Sequence, residues 1–124
     1  MTTSEVDRIM TDRIGIVGVG RMGANMARRL KECGFTITSV FDARTSVAQE
    51  LARELGCSAV EQLKEVTRLS DVILTVVSDD RAMKQIFTGG LLNRSRGKLF
   101  INCATVTPDV HRWVEQKCDR TGAQ

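Results

Sequence analysis

The chain has 124 residues, of which 42% are hydrophobic and 27% charged, with a formal net charge of +3. That length gives one domain with a real core and leaves no room for a separate substrate domain, and the composition excludes a disordered chain. The charge is small and its basic residues are dispersed, which argues against a nucleic-acid partner. No apolar run is long enough to cross a bilayer. Residues 1–12 form a leader that carries Glu5, Asp7 and Asp12 and lacks an apolar centre, unlike a secretory signal or an acid-poor presequence. A cytoplasmic location is expected. Cys33, Cys57, Cys103 and Cys118 match no metal-ligand or C-x-x-C spacing, and His111 is the only histidine. Reduced, mostly buried thiols and no metal site are expected.

From residue 13 onward, strand and helix patterns alternate. A first strand is predicted from Arg13 to Val19. A helix follows from about Met22, with Met22, Met26, Ala27 and Leu30 at helical spacing and Gly34 as its stop. Arg28, Arg29 and Lys31 read as its solvated face. A second strand spans Thr36 to Phe41. Thr45 or Ser46 is expected to cap a second helix with Val47, Leu51 and Leu55 on its buried stripe and Gly56 at its end. Cys57 to Val60 reads as a short third strand, and Leu63, Val66 and Leu69 as a helix. Asp71 to Val77 is the most apolar run and is placed centrally in the sheet. Ser78 or Asp79 caps a helix holding Met83, Ile86 and Phe87, which Gly89 and Gly90 break. A fifth strand runs from Lys98 to Asn102. Thr107-Pro108 reads as N-cap and first helical position, ahead of a stripe of Val110, Trp113, Val114 and Cys118.

This alternation predicts an α/β fold: a Rossmann-type doubly wound parallel sheet in three αβα layers, strand order 3-2-1-4-5, over residues 13–124. Gly18-Val19-Gly20-Arg21-Met22-Gly23 sits where the first strand meets the first helix, and it has the form G-x-G-x-x-G. Gly18 serves the turn, Gly20 leaves the backbone open to a pyrophosphate, and Gly23 lets the helix pack close. The helix start adds unpaired N–H groups and the positive end of its dipole. Asp42 follows the second strand, at the position of the acid that binds a ribose. The strand order gathers residues 18–23, 42–45, 77–80 and 102–108 at one rim. A dinucleotide cofactor is therefore expected.

The same segments resemble the β-hydroxyacid dehydrogenase family, the group of 3-hydroxyisobutyrate and 6-phosphogluconate dehydrogenases. The resemblance rests on residues 14–23 with Asn25-Met26-Ala27 and Leu30, on residues 70–79, and on Asn102-Cys103-Ala104-Thr105-Val106-Thr107-Pro108, which is similar to the family's D-x-S-T-x-x-P. It implies the NAD(P)-binding half of an oxidoreductase that moves a hydride between nicotinamide and a small hydroxyacid. It implies cofactor contacts from Gly18, Val19, Gly20, Arg21, Met22, Gly23, Asp42, Ala43, Arg44, Val77, Ser78 and Thr105, with Thr105 also near the substrate. Asn102 stands where an acid is usual, and Ala104 where a substrate-binding serine is usual.

The family's general-acid lysine belongs to a later helical domain. No residue here is assigned a catalytic role, and Lys98 and Lys117 read as surface residues. The chain is expected to stop where a further strand would begin, at residues 121–124, to bind cofactor weakly, to turn nothing over alone, and to form dimers through an uncovered edge or apolar face. A hydroxyacid substrate is expected only with the second domain. Asp42 favours NAD, since its carboxylate repels a 2′-phosphate. Arg44 keeps NADP open. A non-catalytic dinucleotide-binding or protein-interaction module is the alternative reading.

Overall fold

The five expected strands form one parallel sheet in the order β3-β2-β1-β4-β5. The computed structural model describes residues 12–103 and 106–124. Among them, the elements are β1 Arg13–Val17, α1 Arg21–Glu32, β2 Thr36–Phe41, α2 Thr45–Leu55, β3 Ser58–Ala59, α3 Leu63–Leu69, β4 Val72–Thr75, α4 Asp80–Thr88, β5 Leu99–Asn102 and α5 Pro108–Thr121. This is the doubly wound Rossmann-type architecture.

The alternation of side chains along each strand divides the core. Ile14, Ile16, Val40, Val72 and Leu74 pack with Ala24 and Ala27 of α1 and Leu51 and Leu55 of α2. Val17 and Ile73 face the other way, against Val66 of α3, Met83 and Phe87 of α4, and Val110 and Val114 of α5. Both faces of β4 are covered, so all four of its residues are buried. Ile16 and Ile73 are fully buried, and each such side chain contributes about 1.5–3 kcal/mol.

Several boundaries differ from the sequence expectation. β1 stops at Val17 and β4 at Thr75, two residues early in each case, because both strands release into loops at the same rim. β5 begins at Leu99. The α2 stripe is turned toward Ala48, Leu51, Ala52 and Leu55, leaving Val47 half-buried. Met22 is 58% exposed rather than part of the α1 core stripe, which is made by Gly23, Ala24 and Ala27. The reason is positional. α3, α4 and α5 all lie on the opposite face, so the β4–β5 half of the α1 face is open. Ile101 is exposed there too, and a groove of about 480 Å³ runs between Met22, Met26, Leu30 and Leu74.

α1 ends as expected at Gly34, which takes φ +93°. Phe35 N–H donates to Leu30 O and Gly34 N–H to Lys31 O, the paired bonds of a Schellman motif. Gly122 turns the chain after α5 with φ +78°. Gln124 then bonds beside β5: its N–H donates to Lys98 O at 2.8 Å, and its C=O accepts Phe100 N–H at 2.7 Å. This is a parallel ladder pattern, so the chain re-enters the sheet at residue 124 and pairs the first part of the β5 edge.

Candidate functional site

β1 delivers the chain to the rim at Val17, whose carbonyl accepts Val76 N–H at 2.8 Å. Gly18 takes φ +92°, and a Cβ there would lie 2.3 Å from Val76 O. A Cβ at Gly23 would lie 1.9 Å from Gly18 O. Strand exit and helix start are therefore pressed together at two points that exclude a side chain. Gly20 is different. It has φ −65°, and a Cβ there would meet nothing within 4 Å. Its α-carbon faces open space, which is what a ligand approaching the backbone requires.

Ala24 N–H donates to Gly20 O at 2.9 Å and closes the first turn of α1. The preceding amides of Arg21 and Met22 have no intrahelical acceptor, as at any helix start, and carry the positive end of the dipole. Both residues are exposed.

Asp42 stands just past β2, half-buried, and both of its oxygens are engaged. Oδ2 accepts Val19 N–H at 2.9 Å, and Oδ1 accepts Arg44 N–H at 2.9 Å. Beside it, Gly18 N–H donates to Phe41 O at 2.8 Å. Val19 thus spends its amide on Asp42, and its side chain is 1% exposed in the core. The expected cap of α2 is corrected here. Arg44, not Thr45 or Ser46, is the N-cap residue, and no side chain caps the helix. Asp42 holds the Arg44 amide, so the chain is already turning into the helix at Thr45. Ala43 and Arg44 are exposed beside Asp42.

Three grooves meet at Gly20. One, about 330 Å³, lies between α1 and α2 and is lined by Arg21, Arg28 and Arg44. A second, also about 330 Å³, runs past Gly18, Asp42, Ala43, Arg44, Val77 and Ser78. The third passes Arg21, Met22, Gly23, Val77, Ser78 and Cys103. The described residues 18–23, 42–44 and 77–78 are therefore brought together along one cleft. Thr105 and its neighbour Ala104 lie outside the described residues. The donor set fits a dinucleotide: free amides at a helix start, a Cβ-free approach at Gly20, and a carboxylate at the end of β2.

The sequence points to Asp79, Thr107 and Asn102 at this rim, and the structure adds the contacts of Asp80 and the places of Ala82 and Gln85. Asp80 accepts Thr107 N–H at 2.9 Å and its hydroxyl at 3.0 Å, fastening the start of α5 to that of α4. Thr107 is the N-cap residue of α5, yet its side chain makes no cap bond, because Asp80 takes it. Asp79 caps α4 through Ala82 N–H at 2.8 Å. Asn102 accepts a hydrogen bond from the buried Thr75 hydroxyl. Ala82 and Gln85 line the second groove. The adjacent acids at 79 and 80 were the available signal for a second helix-start contact.

Away from the cleft, two expectations change. Only Cys118 is buried; Cys57 and Cys103 are half-buried and Cys33 is exposed. Burial pushes the thiols of Cys57, Cys103 and Cys118 above their ordinary pKa. Lys98 is not an ordinary surface residue: Nζ donates to Ser70 O at 2.6 Å and lies 3.9 Å from Asp71. Arg28 pairs with Glu54 across α1 and α2, and no described helix is long and apolar enough to cross a membrane.

Comparison with known proteins places these features. Residues 13–124 match the family model described as the NAD binding domain of 6-phosphogluconate dehydrogenase. The chain is 29% identical over 115 residues to the mitochondrial 3-hydroxyisobutyrate dehydrogenase of Drosophila melanogaster, covering 90% of this chain and 34% of that protein. It is 33% identical over 106 residues to a probable mitochondrial 3-hydroxyisobutyrate dehydrogenase of Arabidopsis thaliana, covering 82% and 30%. The solved 3-hydroxyisobutyrate dehydrogenase of Mycobacterium tuberculosis with L-serine shares the fold at TM-score 0.83 and 24% identity, over 92% of this chain and 38% of that one. The chain thus spans about a third of the length of these relatives. By its matched residues, its sheet order and its glycine loop, it belongs to the family of NAD(P)-binding domains of the 6-phosphogluconate and 3-hydroxyisobutyrate dehydrogenases.

Proposed function

We propose that this domain holds a nicotinamide dinucleotide for an oxidoreductase that interconverts a small hydroxyacid and its oxo partner. The observation that carries the proposal is the meeting of three grooves at Gly20, beside the free amides of Arg21 and Met22 and within reach of Asp42. The bound nicotinamide supplies the hydride chemistry; the chain supplies position and field. Gly18, Gly20 and Gly23 shape the pyrophosphate seat, and the amides of Arg21 and Met22 donate to it. Asp42 and Ala43 take the ribose, with NAD preferred because the carboxylate repels a 2′-phosphate. Arg44 is the group that would favour NADP. Val77 and Ser78 flank the path toward the nicotinamide, and Thr105 serves both cofactor and substrate.

The proposed location is the cytoplasm. The hydroxyacid substrate joins only with a substrate domain, and the 124-residue chain alone turns nothing over. Self-association is proposed through the face carrying Met22 and Ile101, and a clean monomer by light scattering at high concentration would count against it. Ala104, in the place of a hydrogen-bonding serine, favours a second reading as a non-catalytic dinucleotide-binding module.

Fluorescence titration with NADH and NADPH tests the cofactor assignment, with tighter NADH binding expected. Binding of NADPH tenfold tighter would overturn the role given to Asp42 in preference. Absorbance assays with a panel of hydroxyacids test the remainder, and turnover by the isolated chain would contradict it.

A further inference from the structure

We propose that Asp42 is a positioning residue for the glycine loop, in addition to any contact it makes with a ribose, so that it supports the binding of NAD and NADP alike. The inference rests on the dinucleotide reading of the site above. Its basis is the double engagement of the carboxylate. Oδ2 holds the amide of Val19 inside the glycine loop, and Oδ1 holds the amide of Arg44 at the entrance to α2. The two amides belong to segments 25 residues apart, counted from 19 to 44, and one side chain joins them.

The loop is confined on its other sides by backbone. Gly18 lies against Val76 O, and Gly23 lies against Gly18 O. Asp42 adds a side-chain tie at Val19 to these backbone contacts. Val19 is 1% exposed, so without the carboxylate its N–H is left buried and unpaired, or the loop must open to water. The first outcome destabilises the closed loop, and the second shifts the amides of Arg21 and Met22 at its end. A clasp built from the chain's own groups lowers the ordering that binding would otherwise require.

A carboxylate that acted only on the ribose makes the opposite prediction for NADP. Its removal would weaken NADH and leave NADPH unchanged or improved, because a like charge near the 2′-phosphate is gone. The clasp predicts that Asp42→Ala weakens both ligands together, on the order of tenfold or more, as expected for orphaning the buried amide of Val19. Asp42→Asn keeps the shape and one acceptor oxygen. It should recover part of the lost NADPH affinity, since it restores one of the two amide bonds.

The test combines titration with amide hydrogen exchange on the ligand-free chain. The Val19 and Arg44 amides should be protected in the native chain and should lose more protection in Asp42→Ala than the Ile73 amide in the centre of the sheet, which reports global stability. NADPH binding that is unchanged or tighter in Asp42→Ala overturns the proposal. So does exchange of the native Val19 amide as fast as an exposed loop, a result readable even if the variant fails to fold. If the native chain binds neither dinucleotide, the cofactor reading fails, and the exchange arm still decides whether the clasp exists.

Discussion

Replacing Gly20 and Gly23 by alanine, one at a time, should separate binding from stability. A Cβ at Gly23 would sit 1.9 Å from Gly18 O, and an ordinary carbon–oxygen contact needs about 3.3 Å. The chain must therefore make roughly 1.4 Å of room between two pieces of backbone, with no flexible side chain to give way. Overpacking of this kind costs about 1–3 kcal/mol, offset by up to about 1 kcal/mol from the better helix propensity of alanine. Gly23→Ala should lose about 1–2 kcal/mol in a urea melt. It should also bind dinucleotide poorly, because α1 is displaced from the loop.

Gly20→Ala meets nothing within 4 Å, and its φ of −65° is one that alanine adopts freely. Its stability should be unchanged or raised by up to about 1 kcal/mol, through the unfolded chain. The new methyl group stands in the cleft where the three grooves meet. A pyrophosphate held off the amides loses charge-assisted hydrogen bonds worth about 1.5–3 kcal/mol each, a tenfold to hundredfold fall in affinity. Native NADH affinity in a folded Gly20→Ala variant would refute the placement of the phosphate, and native stability in Gly23→Ala would refute the packing argument.

Other perturbations probe the frame. A Cβ at Gly15 would lie 2.4 Å from Ser70 Oγ and 2.6 Å from Val66 Cγ1. Gly15→Ala should therefore cost about 1–3 kcal/mol, and a double-mutant cycle with Ser70→Ala should recover part of it; strict additivity would show that α3 does not rest on β1 there. Asp79→Ala removes the side-chain cap of α4 and should cost about 1 kcal/mol in a thermal or urea melt. An unchanged melt would mean that the cap bond contributes nothing. The hydrogen bonds from Arg13, first its side chain and then its amide, hold the Asp71 carboxyl below its ordinary pKa. A lowered folded-state pKa adds stability that is complete above the unfolded value of about 4 and is lost as the pH falls through the folded value. Asp71 is more than a third exposed, so solvent screening keeps the effect small. Asp71→Asn should flatten the acid limb of the stability curve, and an identical acid limb would contradict the pairing.

Much of the site was legible because its signals are local. Gly18, Gly20 and Gly23 lie within six residues, and their strand-to-helix setting is readable from periodicity alone. The spacing to Asp42 and the parallel order 3-2-1-4-5 follow from the same alternation. What escaped depends on distant partners. Nothing within the segment around Asp42 reveals that its carboxylate will hold the amide of Val19, 23 residues away. The bond between Asp80 and Thr107 likewise joins residues 27 apart, and it diverts the threonine from the cap role that local sequence suggested. Met22 has the spacing of a core residue but emerges where no described helix covers its half of the sheet. Lys98 reads as surface because lysines usually are, yet its side chain is largely covered and its ammonium reaches Ser70 O.

The central claim is that a dinucleotide seats on the amides at the start of α1. NMR titration of the labelled chain with NADH tests it residue by residue. The amides of Gly20, Arg21 and Met22 should shift saturably, with smaller changes at Ala43, Val77 and Ser78, while the outer face of α5 around Arg112 and Glu115 stays still. Saturable shifts confined to other surfaces, or a folded chain whose glycine-loop amides do not move at millimolar NADH, would contradict it.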